Sequence, residues 1–466
     1  MSTFGGILSV ARSGLLASQK AVTVAANNIT NAQTPGYSRQ RVVFRTNEPV
    51  QLPQGSFGTG VLVDDVQRVR DVLIDDTFRE DTRAAARDEA ARDTLQQIER
   101  VWGEPSETGL AAGLEAFWNA WGDLAAAPNS LAAKAVVRQR GQQVAQQLNV
   151  FAGRIDEMQG QQRTRVVETV DRVNTLAREI GALNARIVPA ESGGTEAPEL
   201  RDQRDQRVDE LAALVGARTV EGADGAIIVQ VGGVNLVDGA QVKQLELRTP
   251  AGAPLTLGVA PVGNGVGPIE NLYGVDGTLG QQLVDYNETI PAAMADVDEI
   301  ARAVVDEVNT LHTGGFVGTA PAGNFFDPTG TGRTARGIRL DAAIAGDAAQ
   351  VAASGVAGES GNNTVALAIS QLRSTAVAVG GATQSIGAAW RATVTDTAIR
   401  ANTADAAATA SRTLASQTDA RRQSVSGVSI DEEMVSLMKF QQSYAAAARL
   451  ISAVDEMSQI LVNLGR

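Results

Sequence analysis

Both ends of the chain carry the apolar spacing of a coiled-coil helix. Apolar or small residues recur there in alternating steps of three and four, as in a helix that buries one seam. Ser429 and Glu432 have the spacing of a capping box at the start of the second pattern. The seam positions are Phe4, Leu8, Ala11, Leu15, Ser18, Val22, Ala25 and Ile29 at one end, and Leu437, Phe440, Tyr444, Ala447, Ile451, Val454, Ser458 and Leu461 at the other.

Much of the chain between these ends also has helical periodicity. The pattern predicts helices over residues 107–127, 131–188, 199–215 and 278–311, and another that begins near Trp390. If the second is continuous, it forms a rod of roughly 85 Å, a length typical of a bundle rather than a compact enzyme core. The small residues of the last helix favour close packing against this rod.

Residues 217–270 have a different pattern, with β-branched runs divided by Asp-Gly and Gly-Gly, which indicate hairpins. We therefore predict a mainly α-helical bundle with paired terminal helices and a small β-rich insertion. The expected division is an inner domain of residues 1–45 and 428–466, a helical domain of residues 46–216 and 271–427, and a β-rich subdomain of residues 217–270.

Charge is unevenly distributed along a chain whose formal net charge is −13. Residues 1–45 contain five basic side chains and no acid, whereas residues 428–466 contain five acids and three bases. This asymmetry is equally consistent with chance and with terminal segments that attract each other. A basic footprint for nucleic acid is missing, and no apolar run is long enough to span a membrane.

The sequence offers little for catalysis or metal binding. It has no cysteine and one histidine, His312, so thiol chemistry and the zinc motif HExxH are both excluded. A lone histidine at a helix end is more often a polar terminal residue than a general base. The alternating charges of "RDQRDQRVDE", from Arg201 to Glu210, are interpreted as a solvated helix face. We predict no enzymatic activity, no cofactor and no metal.

The segment "NNITNAQTPGYSRQ" ends the first helical pattern with turn-forming residues. Asn27, Asn28 and Asn31 weaken the helix because asparagine competes for backbone hydrogen bonds. Pro35 stops the helix and Gly36 permits positive φ, just before Tyr37. These features predict a bend in the chain.

These six residues match an N-terminal signature, and "SGVSIDEEMVSLMKFQQSYAAAARLISAVDEMSQILVNL" resembles its C-terminal partner. Together they resemble the flagellar axial proteins, the family of rod, hook and hook-associated proteins. "GYSRQ", "KFQQSYAAAARLIS" and the helical middle are most similar to the hook-associated members at the hook–filament junction. Larger relatives insert β domains where this chain has only the loops of residues 313–360.

The resemblance implies a structural subunit, at the hook–filament junction, that joins hook to filament. It also implies unfolded export through the flagellar type III pathway and assembly through terminal helices that become ordered on assembly. The implied partners are a ring of identical subunits, the hook protein, the third hook-associated protein and a flagellar export chaperone. The terminal seams and the six signature residues would then serve assembly.

Two other functions remain open on the sequence. The first is a rod or hook protein of the same family, whose middle would be β-rich. The second is an enzyme with an N-terminal targeting segment, because the first 30 residues are amphipathic and acid-free and so resemble a presequence. No secretory signal of the charged and apolar type opens the sequence.

Overall fold

Two long helices, α1 (Ser2–Asn31) and α11 (Ile430–Leu464), pack against each other at one end of the molecule. The computed structural model describes residues 2–52, 55–249, 254–261 and 270–464. The predicted fold class is confirmed: helices predominate, the terminal helices pair, and a sheet is inserted between helices.

Four further long helices form an elongated body, which we call the rod. They are α2 (Val72–Trp102), α3 (Leu110–Ala126), α4 (Leu131–Glu191) and α10 (Ile386–Ser426). Three begin at a capping side chain that accepts a hydrogen bond from the first turn, namely Asp71, Ser130 and Ser385. The side chains that cap these helices therefore fix where each begins.

Helix α4 has 61 residues and so extends about 90 Å. It continues two residues beyond Pro189, where the sequence predicted its end. Proline removes one main-chain donor, and the carbonyl left without it belongs to Ala185. Both residues are exposed, so water can bind that carbonyl and the last turn persists.

Helix α10 packs along α2 in antiparallel fashion, with Thr418 Oγ1 donating to Asp81 and Trp102 Nε1 donating to Thr397. The expected packing of this helix along the long rod helix α4 is therefore wrong for most of its length. Contact with α4 occurs near the start of α10, where Trp390 stacks on Phe151 of α4 with ring centroids 5.5 Å apart.

A six-stranded antiparallel meander follows α5 (Pro198–Val215), in the order β10-β9-β8-β7-β6-β5. The predicted hairpin glycines Gly225, Gly233 and Gly239 all have positive φ. Within the predicted insertion, residues 250–253 and 262–269 lie outside the described residues. The strands are β5 (Arg218–Glu221), β6 (Ile227–Val231), β7 (Val234–Asp238), β8 (Gln241–Arg248), β9 (Thr256–Pro261) and β10 (Glu270–Leu272).

A second β element lies where the sequence predicted part of the helical domain. Strand β1 (Gln40–Thr46) pairs with β4 (Val61–Arg68), and β2 (Val50–Leu52) pairs with β3 (Gly55–Phe57). This long hairpin lies along α1, where Val61 N donates to Ser13 Oγ at 3.2 Å. The helical domain predicted from residue 46 onward therefore begins with strands in the described residues 46–52 and 55–68, whose short β-branched runs suit a hairpin.

The chain returns to the rod through α6 (Gly277–Val284), a π-helical turn (Asp285–Thr289) and α7 (Ile290–Thr313). Short elements then cover the distal end of the rod. They are β11 (Phe316–Val317), β12 (Ala320–Pro321), two 3-10 turns (Gly330–Arg333 and Ala348–Gln350), α8 (Ala342–Gly346), α9 (Thr364–Gln371), β13 (Val377–Val379) and β14 (Ala382–Gln384).

Two buried apolar clusters stabilise this body. The aromatic core, around Trp121, Phe325 and Trp390, joins α3, α7 and the distal elements to the first half of α4. The sheet core joins the second half of α4 and α5 to strands β6–β10, with Val166 as its first member on α4.

Candidate assembly joint

The paired helices α1 and α11 bury a narrow seam of mostly small residues. Ala11, Ser18 and Ala25 are buried as predicted, but the second buried row on α1 contains Ala21 and Asn28. The larger predicted side chains lie on the flanks of the seam. Leu15, Val22, Ile29, Leu437, Phe440, Ile451 and Ser458 are half-buried, Leu8 and Tyr444 are exposed, Ala447 and Val454 are buried, and the side chains of Phe4 and Leu461 lie outside the described residues.

Asn28 is the buried hub of the signature segment, with 1% of its surface exposed. Its Nδ2 donates to the Gln40 carbonyl at 2.9 Å and to Glu433 Oε2 at 3.0 Å. Its Oδ1 accepts from Gln40 N at 3.0 Å and from the Tyr37 hydroxyl at 2.8 Å. One amide therefore joins the end of α1, the start of β1 and the start of α11.

Arg39 makes a second connection between the two termini. Its guanidinium contacts Glu433 at 2.7 Å and Glu432 at 2.9 Å, both in the first turn of α11. Its backbone N donates to the Ser426 carbonyl at the end of α10. Glu432 N lies 3.5 Å from Ser429 Oγ, which is one hydrogen bond of the predicted capping box. In the other bond of a capping box the Glu432 carboxylate would accept from Ser429 N, but here this carboxylate pairs with Arg39.

The turn itself is held by side chains that bond to their own segment. Asn31 Nδ2 donates to the carbonyl and the side chain of Asn27 one turn earlier. Gly36 has φ of +75°, and a Cβ there would overlap the side chain of Gln206. Gln206 Nε2 in turn donates to the Pro35 carbonyl. The bend is therefore fixed against α5.

The acidic face of α5 closes the joint from the other side. Ser38 donates to both carboxylate oxygens of Asp202, at 2.9 Å from its N and 2.7 Å from its Oγ. Arg68 bridges Asp202 and Asp205, and Arg70 also pairs with Asp205 at 2.9 Å. The interpretation of "RDQRDQRVDE" as a solvated face is therefore wrong, because arginines from the end of the hairpin cover it.

This ion cluster extends from α5 to α2 and α10. Asp209 accepts from Arg79 at 2.8 Å and from Arg422 at 2.7 Å. The Arg422 guanidinium also lies 3.7 Å from the ring centroid of Phe78. The start of α2 and the end of α10 are thereby attached to the same acidic helix.

Burial and charge move the pKa values of neighbouring groups in opposite directions. Burial raises the pKa of Asp202 and outweighs its bonds from Ser38 and Arg68. Burial also acts on Asp205, but the charges of Arg70 and Arg68 outweigh it and hold the pKa of Asp205 below its usual value. Burial, with Glu199 and Asp202 nearby, raises the pKa of Tyr37. Tyr37 therefore stays a neutral hydrogen-bond donor at Asn28.

His312 lies in the last turn of α7, the helix-end position that the sequence favoured, and it is buried. Its Nδ1 lies 2.7 Å from the Gly323 carbonyl and its Nε2 accepts from Ala352 N at 3.0 Å. Its ring therefore anchors two distal loops. Among the described residues, no cluster of acidic or histidine side chains could hold a metal ion, and no helix is long and apolar enough to cross a membrane.

Comparisons with known proteins match three parts of the chain. Residues 8–37 match a family described as flagella basal body rod protein, and residues 421–464 match the flagellar basal body rod FlgEFG protein C-terminal family. Residues 95–326 match the flagellar hook-associated protein FlgK helical domain. Flagellar hook-associated protein 1 of Bacillus subtilis is 29% identical over 99% of this chain and 98% of its own length.

The chain belongs to the flagellar hook-associated protein 1 family. The Escherichia coli member is 23% identical over 98% of this chain and 99% of its own length. A solved structure of the flagellar hook junction protein FlgK from Burkholderia pseudomallei has a TM-score of 0.67. It is 16% identical and covers 75% of this chain and 100% of its own, so it establishes the fold alone. These relatives are structural proteins of the flagellum.

Sequence reasoning missed several residues of this joint. The sequence pattern does not distinguish Glu433, Arg68, Arg70, Asp202 and Asp205 from other charged residues. The available signal was the alternation of Arg and Asp in α5, which had a more common explanation as a solvated face. Of the two explanations that the charge asymmetry left open, attraction between the terminal segments is represented by the ion pairs of Arg39 with Glu432 and Glu433.

Proposed function

We propose that this protein joins hook to filament at the junction between them, as a structural subunit that assembles through α1 and α11. The observation that carries the proposal is the joint at Asn28, Arg39 and Glu433. This joint connects both termini to each other and to the rod. Terminal helices that assemble around a common axis would therefore hold the rods on the outer side of the assembly.

The surfaces of the terminal helices support an assembly role. Large apolar side chains remain exposed on both helices, although the two helices already pack together. On a monomer such a surface favours association, and a ring of identical subunits would cover it. The exposed residues are Ile7, Leu8, Val10 and Leu16 on α1, and Ile430, Met434, Val435, Met438, Tyr444, Leu450, Met457 and Ile460 on α11.

The partners in this proposal are identical subunits, the hook protein on one side and the third hook-associated protein on the other. Delivery is by flagellar type III export, with a dedicated chaperone. The six signature residues and the two seams serve assembly, and none is assigned a chemical step. The inner domain, in this proposal, comprises residues 1–45 and 428–466.

A truncation tests the proposal directly. Deleting residues 428–466 removes α11 but leaves both buried cores of the rod. We expect a folded, soluble protein that does not restore filaments or motility to a strain lacking the chromosomal copy. Restored filaments with the truncated protein would contradict the proposal.

Point variants separate assembly from folding. Replacing exposed Leu16 and Met438 with serine should abolish filament attachment while the thermal unfolding of the rod is unchanged. The matched control is Tyr273→Ser, which changes a side chain that is 73% exposed but belongs to the sheet insertion. Equal loss of attachment in the control would count against a specific role of the terminal helices.

A rod or hook protein is the second candidate, since both ends match basal body rod families. Electron microscopy of a deletion strain distinguishes the two. Hooks without filaments support the junction role, whereas missing hooks support the alternative. Mass analysis of the secreted protein addresses the remaining alternative, since a shortened N-terminus would indicate a cleaved targeting segment.

A further inference from the structure

The two apolar cores of the rod are separated by a polar level. On α4 the aromatic core ends at Met158 and the sheet core begins at Val166. On the segment α6–α7 the last buried member of the sheet core is Leu279, half-buried Leu283 packs against that core, and the aromatic core begins at Ile290. Between these limits the side chains are mostly polar, whereas those of the two cores are apolar.

Buried polar groups occupy this level. Gln162 of α4 is 3% exposed, and its Nε2 donates to the Gln282 carbonyl at 3.2 Å. Asp285 is 1% exposed and accepts from Thr94 Oγ1 at 2.7 Å and from Gln281 Nε2 at 2.8 Å. Hydrogen bonds between these polar groups connect α2 to the π-helical turn and α4 to α6 at this level.

The helix that includes Asp285 is irregular at the same level. Residues Asp285–Thr289 form a π-helical turn between α6 and α7, and Pro291 follows it. Proline cannot donate to the carbonyl of Asn287, four residues before it. Separately, the Asn287 side chain exchanges two hydrogen bonds with the backbone of Leu255, at 2.8 and 3.0 Å. Gln159 Nε2 donates to the Tyr286 carbonyl at 3.3 Å.

Helix α4 is locally weak at this level as well. Gly160 lies between Gln159 and Gln162, and a Cβ added to it would meet no atom within 4 Å. Glycine inside a helix is less favourable than alanine by roughly 1 kcal/mol. Packing therefore does not require glycine here, and its effect on α4 is a greater freedom of the main chain.

We propose that Gly160 and the π-helical turn form a flexion point, at which the aromatic-core half of the rod bends relative to the sheet-core half. Bending across an apolar core opens voids that close-packed side chains resist. Across the polar level, the long glutamine side chains can follow a small displacement and keep their hydrogen bonds. This property belongs to the isolated subunit and goes beyond the proposed role in assembly.

Spin-label distances measure such bending, and the chain has no cysteine of its own to interfere. Gln142→Cys and Asp171→Cys introduce labels at exposed positions of α4 on either side of Gly160. They are 29 residues apart on the same side of the helix, which corresponds to about 44 Å. Pulsed electron–electron double resonance on the full-length labelled protein gives the distribution of distances between the two labels, and its width measures the bending.

The test compares two glycine-to-alanine variants. Gly160→Ala should narrow the distribution at least about two-fold. Gly153→Ala is the matched control, because it lies two turns away in the same helix, also has open space around its Cα, and is level with the aromatic core. Narrowing in Gly160→Ala alone supports the flexion point. Equal widths in the labelled parent protein and both glycine variants would overturn the flexion point. Equal narrowing in Gly160→Ala and Gly153→Ala would overturn it as well.

Discussion

The paired terminal helices and the rod use the same secondary structure but very different side chains at their contacts. The α1–α11 seam buries mainly alanine, whereas the aromatic core buries large side chains such as Trp121, Phe325 and Trp390. Buried apolar area stabilises roughly in proportion to its size. The rod is therefore expected to be stable by itself, and the terminal pair to depend on neighbours and on the polar joint.

The largest effect is expected in the aromatic core. Trp390→Ala should lower the free energy of unfolding by about 3–5 kcal/mol, because it empties a site packed on Phe151 and Trp102. Urea unfolding followed by circular dichroism measures this. Tyr273→Ala, on an exposed side chain, should change it by less than about 0.5 kcal/mol. A similar small change for Trp390→Ala would remove the contrast between the two regions.

The second-largest loss of stability is expected at the joint of Asn28, Arg39 and Glu433. Asn28→Ala leaves Glu433 and the Gln40 backbone without their buried partner, which costs about 1–3 kcal/mol. The loss should be confined to the terminal pair, so amides of α1 exchange faster while amides of α4 do not. Thr30→Ala, on an exposed neighbour, is the control. Equal acceleration in both helices would mean that the joint and the rod unfold as one unit.

A pH effect should distinguish the rod from the terminal pair. Burial lowers the pKa of His312, so at mildly acidic pH the unfolded chain binds a proton that the folded rod does not. The free energy of unfolding should therefore fall as pH decreases from about 6.5, by up to about 1.4 kcal/mol per pH unit. Comparing unfolding at several pH values with His312→Gln isolates this contribution, and identical slopes would refute it.

The smallest effect on folding is expected on the exposed faces of the terminal helices. Leu16→Ala and Met438→Ala should change the stability of the monomer by less than about 0.5 kcal/mol. Sedimentation at high concentration should nevertheless show weaker self-association, because these side chains contribute apolar surface. A large loss of monomer stability would mean that they are already covered within the subunit.

Disorder of the terminal helices before assembly remains a prediction. The small buried seam is consistent with it, since isolated helices gain most of their stability from packing. Hydrogen exchange of residues 4–29 in the monomer addresses it. Slow exchange there would show that the joint alone keeps the terminal pair folded.

Local patterns were enough to predict much of the fold. Heptad spacing located both terminal helices, apolar periodicity located α3, α4 and α7, and the Asp-Gly and Gly-Gly pairs located the hairpins of the insertion. These features depend on residues that are close in sequence. The bend at Pro35 and Gly36 belongs to the same class, because its conformation is set by the residues that form it.

Only the tertiary structure decided what the polar residues do. Asp202 and Asp205 are covered by arginines more than 130 residues earlier in the chain. The alternation of charges along α5 cannot predict contacts with residues so distant in sequence. His312 and Asn28 likewise acquire their roles from loops and helices far along the chain. The period of an apolar pattern determines a helix, but the burial of a charge depends on which other segment folds over it.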